Sequence, residues 1–288
     1  MSTSSSDKAA PQWDIEVNAH TKLFTFKLGK ILEYKDLMVL MVRRDLIVNY
    51  KQTILGPLWL IIRPILTTFI FTIVFSNLAK LSTDGIPPKL FYLSGTVFWA
   101  FISECILSNS DSFKTNANLF SKVYFPRAVV PIATTFKVFF QFLIQFIMLL
   151  AAIGWYAFTG YDFDWGVSLL LFPFLMLFSG IFALGIGLIL SSLTYKYRDL
   201  QLLVAFAVSL AMYVTPIVYP LSIAPESLRW IMLINPLTSI VEAFRAIFLN
   251  AGIISVGGLI YSVVCSVVVF LLGLVIFNRT EKNFMDTV

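Results

Sequence analysis

The sequence has very few residues that bind metals or redox cofactors. It contains one histidine, His20, and two cysteines, Cys105 and Cys265, which are far apart and lie in apolar runs. Zinc and haem sites are built from clustered histidine and cysteine ligands. This scarcity argues against both kinds of site and favours two small thiols with a packing role.

Charged residues are scarce as well. They make up 13% of the 288 residues, while 58% are hydrophobic. A soluble domain averages about 25% charged and 45–50% apolar residues. Polar side chains are therefore too few to cover a water-soluble fold of this size. The sequence predicts that the lipid bilayer is the solvent of this chain.

Motifs for catalysis and for cleavage by signal peptidase are missing. Leu28-Gly29-Lys30 lacks the upstream glycine of a Walker A motif, so the chain is not expected to bind ATP. The sequence shows no recognisable motif that pairs a catalytic nucleophile with a general base. Residues 1–30 contain no apolar signal region, and we predict that they are a disordered extension with no assigned role.

Long apolar runs dominate the rest of the sequence. A helix needs about 20 apolar residues to cross ~30 Å of hydrocarbon. Six runs are long enough, at 58–79, 90–111, 129–158, 166–193, 200–219 and 255–277. The sequence thus predicts an all-α membrane protein with a six-helix domain over 58–277 and a short tail over 278–288.

The positions of lysine and arginine orient these spans. Fifteen lie on one side of the predicted membrane, in residues 1–57, 112–128, 194–199 and the tail, and four lie on the other. Positive residues concentrate in cytoplasmic loops. We therefore expect both termini to be cytoplasmic, which agrees with an even number of spans.

Two segments are helical but are not expected to span. Residues 31–50, within a cytoplasmic interface segment 31–57, place charges on one side of a helix and mostly apolar residues on the other. This pattern is typical of an amphipathic helix whose apolar side packs into lipid or under other helices. Prolines divide 220–254 into pieces at 226–234 and 237–250, which we predict to be re-entrant helices on the outer face.

Three charged residues lie inside predicted spans: Arg63, Glu104 and Lys137. Each lies about 9–12 Å from the cytoplasmic end of its span, and charges at such depth usually pair or face water. We predict that Glu104 pairs with one cation while the other faces a conduit that admits a charged head group. The alternative is that both cations extend to the interface. Lys137 also begins a polar stripe with Gln141 and Gln145.

Four aromatic residues lie in the outer halves of the second and fifth spans: Tyr92, Trp99, Tyr213 and Tyr219. Aromatic rings stack on the apolar faces of sugars, so these residues are candidates for a sugar-conducting lining. The alternative is an aromatic belt at the membrane interface.

Several motifs resemble those of one transporter family. They are Tyr50-Lys51-Gln52-Thr53-Ile54-Leu55-Gly56-Pro57-Leu58-Trp59 with Arg63-Pro64, then 120–127 (FSKVYFPR), 195–199 (YKYRD) and 235–237 (NPL). They are similar to the ABC-2 type permeases of polysaccharide export, most closely the O-antigen exporter permeases (Wzm), over nearly all of residues 30–280. The motifs do not separate O-antigen exporters from capsule or teichoic-acid exporters.

The resemblance implies a homodimer in the bacterial inner membrane, bound to two ATPase subunits that bind ATP and magnesium. The substrate would be a glycan linked to undecaprenyl diphosphate, moved through a channel gated by 220–250. The other expected partners are membrane lipids, and no nucleic-acid partner is expected. The interface helix and the 112–128 loop would dock on the ATPases, although the loop alone also fits an ordinary basic loop. The implied coupling residues are Arg43, Arg44, Asn118, Ser121, Lys122, Tyr124 and Arg127.

Other classes of membrane protein compete with this interpretation. An ABC-2 permease for a drug or small lipid shares the topology. A polyprenyl-phosphate glycosyltransferase would need clustered acidic residues, and Asp162 and Asp164 are the only close external pair. A channel would not explain an interface helix together with a basic loop.

Overall fold

The protein is built of α-helices. Its computed structural model describes residues 33–51, 54–116, 119, 125–163, 165–197 and 199–285 and has no strand in these ranges. In chain order the main helices are α1 (Lys35–Lys51), α2 (Gly56–Leu78), α3 (Pro88–Ser110), α4 (Val129–Phe158), α5 (Val167–Thr194), α6 (Leu200–Val214), α7 (Glu226–Ile234), α8 (Pro236–Leu249) and α9 (Val256–Met285). The all-α prediction is confirmed.

Five of these helices, α2 to α5 and α9, are long and apolar enough to cross a membrane. The Gly-Pro motif explains where α2 begins. Gly56 has a φ of 47°, a left-handed conformation that glycine adopts without steric cost. Pro57 follows in the first helical turn, where its missing N–H leaves no hydrogen bond unmade.

The apolar helix α6 has 15 residues, which span only about 22 Å. At its start, Gln201 accepts a hydrogen bond from Lys114, which follows α3 (3.0 Å). Beyond its end, Ser222 donates to Asp84, which precedes α3 (2.7 Å). Since α3 separates these two contacts, α6 and residues 215–220 together cross the molecule. We call the face of Lys114 the base and the face of Asp84 the rim.

The predicted span 200–219 is helical only as far as Val214. Thr215 has extended dihedral angles (φ −84°, ψ 138°), and Pro216 and Pro220 lack the N–H groups that would continue the helix. Residues 215–218 and 220 are nevertheless buried. Irregular backbone at membrane depth is tolerated where protein groups satisfy its polar atoms.

The helices α7 and α8 form a re-entrant pair bent by 98° at Asn235. The segment before α7 contacts the α2–α3 loop at the rim, as described above. After α8, Asn250 donates to the carbonyl of Asp162 in the α4–α5 loop (3.5 Å). The two loops share one face, because the Tyr161 hydroxyl donates to the carbonyl of Gly85. The chain therefore enters and leaves at the rim, as the sequence predicts.

The Asn-Pro motif explains the bend. The Asn235 side chain caps α8 by accepting a backbone hydrogen bond, and Pro236 occupies the first helical position. Side chains of α9 donate hydrogen bonds to the carbonyls at the bend. The Tyr261 hydroxyl donates to the carbonyl of Ile234 (2.7 Å), and the Ser262 hydroxyl donates to the carbonyl of Pro236 (2.6 Å).

Aromatic rings surround α8, whose residues are almost all buried. Phe244 lies 5.4 Å from Phe98 of α3, measured between ring centroids. Phe248 lies 5.2 Å from Phe172 of α5 and 5.3 Å from Phe146 of α4. Much of the phenylalanine content of the sequence thus builds the core around the re-entrant pair.

The helix α1 packs under the spans at the base. Met41 is 4% exposed and contacts an apolar cluster that includes Val129 and Phe277. Several other apolar residues of α1 are exposed, so the interfacial position of this helix stays a prediction. Phe277 also stacks on Phe113 (4.5 Å between centroids), so both ends of the helical domain lie at the base. That the base is cytoplasmic stays a prediction from the positive charges.

Candidate functional site

A cavity of about 640 Å³ lies between α2, α3 and α4, with Met212 of α6 completing its wall. Its size is within the ~300–1,000 Å³ of small-molecule sites. The polar and aromatic side chains that line it are Trp59, Arg63, Thr67, Thr96, Trp99, Phe101, Ser103, Glu104, Gln141, Phe142 and Gln145. Ionisable, amide and indole groups thus converge in a region that the sequence places inside the membrane.

The structure brings two of the three predicted charges together. Arg63 and Glu104 both line the cavity and are both exposed. Glu104 accepts a hydrogen bond from Ser108 (2.8 Å). Within the described ranges it forms no ion pair with Arg63 or Lys137. Lys137 is 9% exposed and lies one helical turn from Gln141. The roles of these charges stay predictions.

The predicted polar stripe on α4 faces the interior of the protein. Gln141 and Gln145 are each 8% exposed and line the cavity. The Oε1 atom of Gln145 is buried and has no hydrogen-bond donor among the described residues. A buried polar atom of this kind calls for an explanation, such as a bound water or ligand.

The four aromatic candidates occupy different environments. Trp99 lines the cavity, whereas Tyr92 is 0% exposed and is enclosed by phenylalanine rings. Tyr213 is half exposed, and Tyr219 donates to its carbonyl (2.7 Å). Trp59 also lines the cavity, which the sequence alone did not indicate. In this conformation Trp99 is therefore the one of the four placed at the cavity.

The predicted coupling residues are only partly described. Arg43 and Arg44 are exposed on α1, and Arg44 forms an ion pair with Asp45 (2.8 Å). Arg127 is 5% exposed, so it belongs to the interior of the base rather than to an exposed docking surface. Four others lie outside the described residues: Asn118, Ser121, Lys122 and Tyr124.

Sequence reasoning missed a buried charged cluster. Arg245 of α8, counted from the sequence among the outer charges, is 1% exposed. Its guanidinium donates to the carbonyls of Pro216 and Ile217 (2.5 and 2.6 Å) and lies 3.9 Å from the ring centroid of Phe91. Glu242 is 3.9 Å away. The sequence does contain a sign of this cluster, because Glu242 and Arg245 are three residues apart in an apolar helix and so lie on the same face.

Comparison with known proteins matches the chain to one family. The family model described as ABC-2 type transporter matches residues 36–249. The O-antigen export system permease protein RfbA of Klebsiella pneumoniae is 29% identical over 252 residues, covering 87% of this chain and 94% of that protein. RfbA of Myxococcus xanthus is 27% identical, covering 90% and 98%. The polysialic acid transport protein KpsM of Escherichia coli is 25% identical, covering 85% and 93%. The chain belongs to the ABC-2 type transporter family.

Proposed function

We propose that this chain is the membrane-spanning subunit of an ABC exporter that moves polysaccharide linked to undecaprenyl diphosphate across the bacterial inner membrane. The observation that carries the proposal is similarity to O-antigen export permeases at 27–29% identity over nearly the whole chain. Capsule and polysialic acid permeases are similar at 21–25%. An O-antigen type of glycan is therefore favoured over a capsular one.

The chain supplies the path, and a partner supplies the energy. It carries no Walker A motif, so ATP and magnesium would bind to a separate ATPase subunit. Two copies of this chain with two such subunits would form the exporter. The re-entrant pair would stand at its outer opening, with both termini in the cytoplasm.

Coupling would run through α1. This helix presents Arg43 and Arg44 to solvent on one side and packs Met41 against the base on the other. The same apolar cluster includes Val129 and Val130, at the beginning of α4. A partner that displaces α1 would therefore push on α4, one wall of the cavity.

The double change Arg43→Glu and Arg44→Glu is expected to weaken binding of the ATPase about tenfold. Two reversed charges at a docking surface turn attraction into repulsion, at ~1 kcal/mol or more in total. The measurement is the amount of ATPase, from the same gene cluster, that co-purifies with the full chain. Lys89→Glu, a single charge reversal on an exposed residue near the rim, should leave binding unchanged. Equal binding by all three proteins would refute the coupling role of α1.

The export function is tested in cells. Deletion of the gene should leave lipid-linked glycan inside the cell and remove it from the surface, and the wild-type chain should restore export. The composition of the retained glycan, O-antigen or capsular, decides between the two candidates. Surface glycan that persists after deletion would disprove the proposed function.

A further inference from the structure

We propose, in an inference that rests on the proposed function, that the cavity between α2, α3 and α4 binds a sugar residue of the glycan rather than its diphosphate. The residues that carry this assignment are Gln145, Glu104, Trp59 and Trp99. Each lines the cavity, and each has a chemical group that can bind a hydroxyl or the apolar face of a sugar.

Gln145 requires a hydrogen-bond donor. Its side chain is more than nine-tenths buried, and its Oε1 atom has no donor among the described residues. Burial of an amide oxygen without a donor is costly, so an apolar residue would be favoured here if the position served only packing. A ligand hydroxyl in the cavity would supply the missing donor.

Glu104 narrows the chemistry of that ligand. One carboxylate oxygen accepts from Ser108, and Oε2 accepts no hydrogen bond within the described ranges. An ionised diphosphate has only acceptor oxygens, so it could bond to Arg63 but would supply no donor to Gln145 and would be repelled by the Glu104 carboxylate. Sugar hydroxyls both donate and accept, so they can bond to Glu104 and Gln145 and also to the Arg63 guanidinium of α2.

The two indole rings supply the aromatic surface that a sugar ring would pack against. Trp99 is 7% exposed and Trp59 is 42% exposed, so one ring is fixed in the wall while the other borders open space. A sugar ring has an apolar C–H face that packs against an aromatic ring and a hydroxyl edge that does not. A lipid tail would cover the indoles but leave the buried Gln145 oxygen without a donor.

Photocrosslinking in cells tests the site directly. The full chain, expressed with its ATPase in the glycan-producing strain, carries p-benzoylphenylalanine in place of Trp59. The matched control carries it in place of Phe136, an aromatic residue of α4 that is 51% exposed and outside the cavity. After irradiation the purified chain is stained for carbohydrate and weighed by mass spectrometry. We expect glycan on the chain at position 59, at least about fivefold above position 136.

The change Gln145→Leu, added to the position-59 chain, is expected to lower this capture about tenfold, the effect of one or two lost hydrogen bonds. Its control is Gln201→Leu, which removes a glutamine at the base that bonds to Lys114; capture should then be unchanged. Gln145→Leu should leave the melting temperature of the purified chain equal or higher. Loss of capture then cannot be ascribed to unfolding.

Three results would overturn the assignment: membrane lipid alone on the chain at position 59, equal glycan at positions 59 and 136, or capture that Gln145→Leu does not change. Surface glycan measured on the same cells distinguishes failure of the sugar-site proposal from failure of the proposed export function. Export without capture at position 59 would reject the sugar site and leave the exporter function intact. Export that continues without the chain would reject the function itself.

Discussion

Replacement of Arg245 by methionine is expected to prevent most of the chain from folding. The guanidinium is the donor to the carbonyls of Pro216 and Ile217, where the backbone after α6 is not helical. It is also 3.9 Å from Glu242, which is 4% exposed. Removing one member of a buried pair costs about 3–5 kcal/mol, a large part of a typical stability of ~5–15 kcal/mol.

The measurement is the yield and melting temperature of the full chain in detergent. The control is Arg245→Met combined with Glu242→Gln, which should recover part of the loss because no uncompensated charge is then buried. Arg245→Lys should recover little, since an ammonium cannot reproduce the planar fork that reaches two carbonyls and stacks on Phe91. A melting temperature close to that of the wild type for Arg245→Met would contradict a structural role for this cluster.

The length of apolar runs was enough to predict most of the fold. Five spans were identified because about 20 apolar residues have few alternatives to a membrane-crossing helix. Pro225 and Pro236 likewise predicted the two short re-entrant helices, since a proline ends or begins a helix for reasons local to the chain. Span five was the exception, because its last five residues, 215–219, form mostly buried, non-helical backbone held by a distant arginine.

The site was harder to predict than the fold. Depth along a helix follows from residue number, so Arg63 and Glu104 were placed at similar depth, and both line one cavity. The direction in which a side chain points around its helix depends on how the helices pack, which could not be predicted from a single sequence. For that reason Tyr92, expected as a possible lining residue, lies in the core. Trp59, not singled out from the sequence, lies at the cavity.

The change Gly185→Ala is expected to destabilise the fold strongly. Gly185 lies where α5 crosses α9, and a Cβ atom there would be 2.7 Å from the Cα and N atoms of Phe270. On the opposite helix, a Cβ at Gly273 would be 2.5 Å from the carbonyl oxygen of Gly185. Small residues allow membrane helices to approach this closely.

These neighbours are backbone atoms, so no side chain can rotate to make room and the two helices must separate. Overpacking typically costs ~1–3 kcal/mol and occasionally more, and we expect the upper end here. Gly154→Ala is the matched control, because Gly154 lies inside α4 and a Cβ there meets nothing within 4 Å. Alanine favours a helix over glycine by ~1 kcal/mol, so the control should melt at the same or a higher temperature.

The two variants, purified in the same detergent, should therefore move in opposite directions in a thermal unfolding experiment. Gly273→Ala should resemble Gly185→Ala, since both substitutions act on one crossing. Because α9 continues to Phe277, which stacks on Phe113 at the base, separation of α5 and α9 should also loosen the loop after α3. If Gly185→Ala and Gly154→Ala melted at the same temperature, close contact between the α5 and α9 backbones would not be what stabilises this part of the fold.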